Sequence, residues 1–365
     1  MRALQIYAGP SARKQLMVQG LQPEQVRVIP AAAGGPKGLI LGPLDRFIFG
    51  QWLSQSSQPV HLVGASIGAW RMATACLQQP VPALERLERD YIAQHYELAP
   101  GQKRVPAREV SAQFAANLQL FYGGRIEELL SHPRYRLHVL ASRGRGLLGR
   151  EHPWRTPLGY ALAFAGNALH RRLLGWSLDR TVFSSAQAPL PFDASDFPTR
   201  QAALEPSNFM QALQASCSIP FLLEAVHDIA GVPQGAYWDG GITDYHLHLN
   251  YAAAADDGAW KAGQGLVLYP HFQQAVVPGW LDKALKWRHG SSAFLDSTVV
   301  LAPRAQWVAG LPNGKLPDRT DFTGYGNDFA GRSKAWRGAT AAAQQLADEF
   351  EAWLARPDPA QVLPL

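Results

Sequence analysis

The residue types best suited to covalent chemistry lie in the segment Gly64-Ala65-Ser66-Ile67-Gly68. This GxSxG directly follows the apolar run VHLV and precedes a helical pattern, which is the setting of a nucleophile elbow. Small residues around such a turn let the backbone bend sharply and present the serine hydroxyl at the end of the strand. We therefore predict that Ser66 is a nucleophile, and the alternative is an ordinary glycine-rich turn between a strand and a helix.

A second glycine-rich segment, AGGPKG, also follows an apolar run, VRVIP. Backbone amides without side chains in the way are suited to an oxyanion hole, and Gly34 and Gly35 are the candidate donors. Pro36 has no N–H and cannot donate. A phosphate-binding loop is the alternative, but Lys37 is followed by Gly38 and not by the Ser or Thr that would bind magnesium.

The third segment is Asp239-Gly240-Gly241, which follows the aromatic pair YW. By itself such a sequence is typical of a turn. A serine nucleophile needs a group that takes its proton, however, and an aspartate held in a tight turn could do this. We predict that burial raises the pKa of Asp239 so that its carboxylate is basic enough for this role.

Three histidines near Asp239 in sequence, His227, His246 and His248, allow other assignments. One of them could complete a Ser-His-Asp triad with Ser66. Because His246 and His248 are two residues apart, a strand would place both on the same side, where they could hold a metal or form a polar face. These alternatives stay open at this level.

Four blocks of the sequence, in the order AGGPKG, GASIG, ASCSIP and DGG, resemble the patatin-like phospholipases, a family of serine lipid acyl hydrolases. The resemblance implies a Ser66–Asp239 dyad without histidine, metal or cofactor, and an oxyanion hole at Gly34 and Gly35. It also implies a three-layer α/β/α sandwich with a mostly parallel sheet. It extends over residues 26–241 and leaves the last third of the chain to be interpreted by itself.

The elements that must position these blocks follow an alternating pattern. Short apolar runs separated by helical patterns indicate an α/β layered fold, here as one domain over 1–365 whose motif-bearing core spans about 26–250 and to which 251–365 adds. Helices are predicted from Pro43, over Ile67–Gln79 with Pro80 as the stop, and over about Lys334–Ala355. The predicted strands are Val26–Pro30, Val60–Gly64, Tyr135–Ala141, Thr181–Ser184, Gly265–Tyr269 and Thr298–Leu301.

Composition restricts the class of protein further. The 365 residues carry a net charge of +5, with 47% hydrophobic and 17% charged residues, as in a globular chain. Only Cys76 and Cys217 are present, which excludes a disulfide framework, and we predict packing roles for Cys217 and its neighbour Ser218. No apolar run is long enough to span a bilayer, and the N-terminus is unlike a signal peptide. We expect a cytoplasmic protein.

The basic charge is concentrated in residues 132–180, which contain nine arginines but only one glutamate and one aspartate. Within them, Leu158–Trp176 joins an apolar half to His170-Arg171-Arg172, a pattern typical of an interfacial helix at the inner face of a membrane. A core or lid helix is the alternative. No nucleic-acid-binding motif is present.

Together these features predict a serine-dependent hydrolase that cleaves acyl esters of lipids through an acyl-serine intermediate, with peripheral membrane contact through 132–180. Two alternatives remain: a hydrolase of small esters or thioesters, and a catalytically weak lipid-binding or regulatory protein that keeps the fold.

Overall fold

A computed structural model of the chain describes residues 1–96, 105–185, 188–253 and 265–365. Within these ranges, eleven strands belong to one sheet. The strands are β1 (Leu4–Ala8), β2 (Val26–Ala31), β3 (Val60–Ala65), β4 (Tyr135–Gly144), β5 (Leu178–Ser184), β6 (Thr199–Ala203), β7 (Val226–His227), β8 (Ala236–Asp239), β9 (Leu266–Pro270), β10 (Thr298–Pro303) and β11 (Val362–Pro364).

The strand order is β11-β1-β10-β9-β2-β3-β4-β5-β6, and β7 and β8 pair with each other beside β4. The central neighbours β10, β9, β2, β3 and β4 run parallel. Every residue of β3, β9 and β10 is buried, as required of parallel strands that helices cover on both faces. The molecule is therefore a three-layer α/β/α sandwich, as the sequence predicts.

Helices cover this sheet and connect its parallel strands. No helix among the described residues combines the length and hydrophobicity needed to cross a bilayer. The α-helices are α1 (Pro10–Gln19), α2 (Gly42–Phe47), α3 (Ile67–Ala75), α4 (Pro80–Ile92), α5 (Ala107–Tyr122), α6 (Ile126–Leu130), α7 (Arg155–Leu169), α8 (Phe209–Cys217), α9 (Ala305–Ala309), α10 (Thr320–Gly324), α11 (Phe329–Ala342) and α12 (Gln344–Ala355).

All six predicted strands are present, in β2, β3, β4, β5, β9 and β10, with ends that differ by a few residues. The prediction that Pro80 ends a helix reaching Gln79 is wrong. The helix α3 already ends at Ala75, and Pro80 occupies the first turn of α4, where its missing N–H has no structural cost. The predicted C-terminal helix is divided at Ala343 into α11 and α12.

The register along β4 brings two distant segments together. Ala65, the last residue of β3, lies opposite Leu140, and Asp239, the last residue of β8, lies opposite the next residue, Ala141. Because β3 runs parallel to β4 and β8 runs antiparallel to it, the carboxyl ends of β3 and β8 meet at one point beside β4. The segments GASIG and DGG therefore become neighbours.

Candidate active site

The turn after β3 holds Ser66 in an unusual backbone conformation. Its φ of 57° and ψ of −130° lie outside the regions that residues with a β-carbon normally adopt. The close packing of α3 on the sheet enforces this turn, because a β-carbon on Gly68 would lie 1.9 Å from the carbonyl oxygen of Ala31. Such strain persists only where the surrounding structure over-determines it, and it is concentrated at functional sites.

The backbone of this turn is fixed by a side chain from α8. The Ser66 N–H donates to Ser216 Oγ at 2.9 Å, and Ser216 Oγ donates to the Leu140 carbonyl at 2.6 Å. Ser216 is completely buried, so its hydroxyl has a defined orientation between two backbone groups. The sequence showed Ser216 within the block ASCSIP but gave no signal of this role.

The Ser66 hydroxyl contacts Asp239 directly. Ser66 Oγ donates to Asp239 Oδ2 at 2.7 Å, and Asp239 Oδ1 accepts the Gly241 N–H at 2.7 Å. The backbone of Asp239 is held as well, since its N–H donates to the Ser218 carbonyl at 2.9 Å and its carbonyl accepts Ser142 Oγ at 2.9 Å. Only 4% of Ser66 and 5% of Asp239 are exposed. The two residues predicted to form a dyad therefore make a buried, oriented hydrogen bond.

Burial determines the protonation chemistry of Asp239. Removal from water raises its pKa above the ordinary value, against the opposing effects of the Ser66 hydrogen bond, the Arg319 guanidinium and the Gly241 N–H. A higher pKa makes the carboxylate a stronger base, which is the property needed to take a proton from a serine hydroxyl. This agrees with the direction expected from the sequence.

The predicted oxyanion loop lies beside the turn. Gly35 has a φ of +56°, a left-handed conformation that favours glycine. It begins a 3₁₀ helix over Gly35–Leu41, and Ile67 begins α3, so the first N–H groups of both segments have no acceptor within their own helix. A β-carbon on Gly38 would lie 3.3 Å from the Ile67 side chain, which shows how closely the two segments approach. The roles of Gly34 and Gly35 stay predictions.

Three cations surround this loop; Lys37 belongs to the block AGGPKG, whereas Lys283 and Arg319 lie outside the sequence motifs. Lys37 Nζ lies 5.4 Å from the centroid of the Phe272 ring, and Lys283 Nζ lies 5.2 Å from that of Tyr245. Arg319 Nε would be 3.4 Å from a β-carbon on Gly35.

None of these three cations takes part in an ion pair within the ranges that the structure describes, and the nearby Asp318 binds Lys315 at 2.8 Å. Burial, followed by repulsion from Lys37 and Arg319, lowers the pKa of Lys283. In the described part of the chain, the edge of the site therefore holds three cations that have no ion-pair partner.

The histidine alternatives have a different outcome. Residues 246 and 248 are not in a strand, so the alternative in which a strand places both on the same side does not hold. His246 Nδ1 accepts the Val277 N–H at 3.1 Å, and burial holds the pKa of this imidazole well below its usual value. His248 contacts the Val276 carbonyl at 2.9 Å. His227 Nε2 accepts a backbone N–H from Glu151, at 3.4 Å.

None of these imidazoles is hydrogen-bonded to Ser66, whose hydroxyl donates to the aspartate directly. In the described part of the chain, no group of three or more histidine, cysteine or acidic residues is arranged to hold a metal ion.

The rival nucleophiles are close to the site but unsuited to attack. Burial raises the pKa of the Cys217 thiol well above its usual value, and the negative charge of Asp239 adds to this effect, so the sulfur stays protonated. Ser218 Oγ donates back to the Gln214 carbonyl at 3.0 Å, within its own helix end. The structure therefore agrees with the packing roles predicted for both residues.

The arginines of residues 132–180 divide into structural and exposed groups. Arg180 is fully buried and binds Asp244 and Asp196 at 2.7 and 3.0 Å. Acidic residues also pair with four others, so much of the local charge that the sequence shows is neutralised by the fold. Those four are Arg143, Arg145, Arg150 and Arg171.

No protein-family model matches the chain, and no curated protein matches it. Among solved structures, the chain is similar to the crystal structure of VipD from Legionella pneumophila, with 13% identity and a TM-score of 0.38. That match covers 95% of this chain and 70% of VipD. The likeness is too distant to assign a function.

Proposed function

We propose that this chain is a serine-dependent hydrolase that cleaves acyl esters of lipids, in the manner of the patatin-like phospholipases. The observation that carries the proposal is the 2.7 Å hydrogen bond between Ser66 Oγ and Asp239 Oδ2, formed at a strained turn between a buried strand and a helix. A structural serine needs neither the strain nor a buried carboxylate with a raised pKa.

In the proposed reaction, Ser66 Oγ attacks the ester carbonyl while its proton passes to Asp239. The N–H groups of Gly34 and Gly35 stabilise the negative oxygen of the tetrahedral intermediate. The carbon–oxygen bond to the alcohol then breaks, and the alcohol leaves with the proton from Asp239. Water attacks the acyl-serine with Asp239 again accepting a proton, which releases the carboxylic acid and restores the Ser66 hydroxyl.

The cations around the oxyanion loop favour a lipid that carries a negative charge. Lys37 and Lys283 lie over aromatic rings, and Arg319 lies beside Gly35. None of the three forms an ion pair with another described residue. A phosphate group placed near the ester would accept charge-assisted hydrogen bonds from these side chains. Phospholipids are therefore the substrates that we propose.

The test measures fatty-acid release from phosphatidylglycerol vesicles by the wild-type protein and by Ser66→Ala. We expect Ser66→Ala to lose at least 10³-fold in activity, because the nucleophile is removed. The control is Ser54→Ala, which changes an exposed serine bonded to the Gln51 carbonyl and should keep full activity. Equal activity of Ser66→Ala and the wild type would overturn the proposal.

Two alternatives are separated by the choice of substrate. A small-ester or thioester hydrolase would cleave monomeric esters as well as, or better than, vesicles of phospholipid. A lipid-binding protein without catalytic activity would bind vesicles but release no fatty acid from any ester. The proposed function requires measurable turnover that is higher on aggregated phospholipid than on monomeric ester.

A further inference from the structure

Large apolar side chains are exposed mainly in one region of the molecule. Of the fifteen exposed side chains of this kind among the described residues, ten are on or next to α7. We call this the α7 surface, and it consists of Leu147, Trp154, Leu158, Leu162, Phe164, Leu169, Trp176, Phe221, Leu222 and Trp287.

The helix α7 differs from an ordinary amphipathic surface helix because its outer side is apolar. Its inner side buries Tyr160, Ala163 and Asn167, while Leu158 and Leu162 project outward. No charged residue occurs between positions 156 and 169, so the outer side has no ionic groups to interact with water. A surface helix of a globular protein normally turns charged or polar side chains outward. The outer side of α7 is therefore suited to a partner that is itself apolar.

Two contacts connect α7 with the neighbouring segments of this surface. The rings of Tyr160 and Phe221 are 5.8 Å apart between centroids. At the other end of α7, Arg288 donates to the Ala168 carbonyl at 3.3 Å, which places the neighbouring Trp287 beside the end of the helix. Phe221 has a φ of 68°, a conformation that a bulky residue adopts only under constraint. Its exposed ring is thus held outward by the fold.

The edge of the surface carries aromatic and cationic side chains. The exposed fractions of Trp154, Trp176 and Trp287 are 83%, 78% and 73%. Arg155 and Arg172, at opposite ends of α7, are exposed and take part in no ion pair within the described ranges. Tryptophan and arginine around an apolar helix face are the side chains that favour the boundary between lipid headgroups and acyl chains.

We propose that the α7 surface docks onto the surface of an anionic lipid bilayer, with α7 lying in the plane of the interface. Its leucines and aromatic rings enter the acyl boundary, and its arginines contact anionic headgroups. This inference goes beyond the proposed hydrolysis, since docking requires no catalysis. It also connects to it, because the ring of Tyr160 on α7 packs 5.9 Å from that of Trp238, which directly precedes Asp239.

The test uses Ser66→Ala protein, which cannot consume the vesicles under the proposed mechanism, so that docking and hydrolysis can fail separately. Flotation is measured with vesicles of phosphatidylcholine alone and with 30% phosphatidylglycerol. We expect binding to the mixed vesicles that is several-fold tighter than to phosphatidylcholine and that weakens at high salt. Arg155→Gln with Arg172→Gln should remove most of that difference.

The apolar contribution is tested with Leu158→Gln combined with Leu162→Gln, which should weaken vesicle binding at least 10-fold because two apolar side chains no longer enter the acyl boundary of the bilayer. The matched control is Leu120→Gln, an exposed leucine of α5 outside the α7 surface, which should bind as before. Circular dichroism and thermal midpoints confirm that each variant is folded.

Unchanged binding of the double leucine variant would overturn the proposal. So would a protein that binds no vesicles but forms a dimer that the same two substitutions dissociate, because that result would assign the surface to a second copy of the chain.

Discussion

Asp239 and Asp244 are five residues apart in the same segment, and both are almost completely buried, yet their environments are opposite. Asp244 makes two hydrogen bonds with the buried guanidinium of Arg180, at 2.8 and 2.7 Å. Asp239 accepts from the Ser66 hydroxyl and the Gly241 N–H, and it forms no ion pair among the described residues. Burial raises the pKa of Asp239, whereas at Asp244 the opposing effects of Arg180, Arg171 and Thr243 together outweigh burial and lower the pKa.

Under the proposed mechanism, this difference makes Asp239 the general base and leaves Asp244 a structural residue. A carboxylate paired with a buried arginine is stabilised as an anion and is a poor base. A carboxylate whose hydrogen-bond donors are all neutral, as at Asp239, is stabilised less as an anion and keeps an affinity for a proton, which a general base needs. The sequence DGGITD contains both residues and does not distinguish their environments, because Arg180 lies on β5, far away along the chain.

The largest expected effect is that of Asp239→Asn. Asparagine can still accept the Gly241 N–H but cannot take the Ser66 proton, so kcat should fall by 10³-fold or more, about 4 kcal/mol. Because burial disfavours the charged form of Asp239, its folded-state ionisation opposes stability at neutral pH. The thermal midpoint of the variant should therefore equal or exceed that of the wild type. A large loss of stability would show that Asp239 is structural.

Asp244→Asn should lower stability and leave activity largely unchanged, which is the opposite of the effects expected for Asp239→Asn. Removing this carboxylate leaves Arg180 partly uncompensated in a site with no exposure, at a cost of about 3–5 kcal/mol of the free energy of unfolding. Urea titration measures this loss. The protein that remains folded at low temperature should keep most of its activity. A variant that keeps its stability but loses its activity would contradict the structural role of Asp244.

The pH dependence should separate the two residues. Activity needs ionised Asp239, whose raised pKa lies above the ordinary value of about 3.9, so kcat/KM should fall first as the pH is lowered. The stabilising ionisation of Asp244 has a lowered pKa and is lost only at more acidic pH. We expect a window in which near-ultraviolet circular dichroism is native and activity is already lost. Coincident loss of both signals would contradict this order.

A smaller effect is expected for Ser216→Ala. The substitution leaves the buried Ser66 N–H and Leu140 carbonyl without their shared partner, at a cost of about 1–3 kcal/mol. Misplacement of the turn should lower kcat by about 10- to 100-fold with a smaller change in KM, as steady-state assays can measure. An unchanged kcat would mean that Ser216 does not position the nucleophile.

The smallest effect should come from Arg319→Gln. This cation lies beside Gly35 and would contact a substrate phosphate, so its loss should lower kcat/KM several-fold on phosphatidylglycerol. The same variant should act on an uncharged ester almost as the wild type does. Equal losses on both substrates would instead indicate that Arg319 supports the loop or the reaction itself.

The local sequence was sufficient to predict those strands and turns whose structure depends mainly on their own residues. Apolar runs such as VHLV predicted the central strands because both faces of a parallel sheet must be covered. The small residues around Ser66 and the turn after Asp239 predicted the two ends that β4 brings together. The adjacency itself follows from strand register, which a single sequence does not specify.

Other features depend on tertiary contacts and could not be predicted. Arg319 and Lys283 come from the part of the chain beyond the recognised motifs, and only the fold places them beside the predicted oxyanion loop. The anchoring by Ser216 depends on α8 packing against β4. On a strand, the even spacing of His246 and His248 would have placed both on the same side, but those residues form hydrogen bonds with the 275–277 segment in place of a strand ladder.

Mass-spectrometric mapping of the protein after reaction with a fluorophosphonate probe tests the central claim most directly. The account predicts one phosphonylated residue, Ser66, formed in the wild type and greatly slowed in Asp239→Asn, because the probe reacts with a serine whose proton has an acceptor. A folded wild-type protein that is not labelled, or that is labelled at another residue, would contradict it.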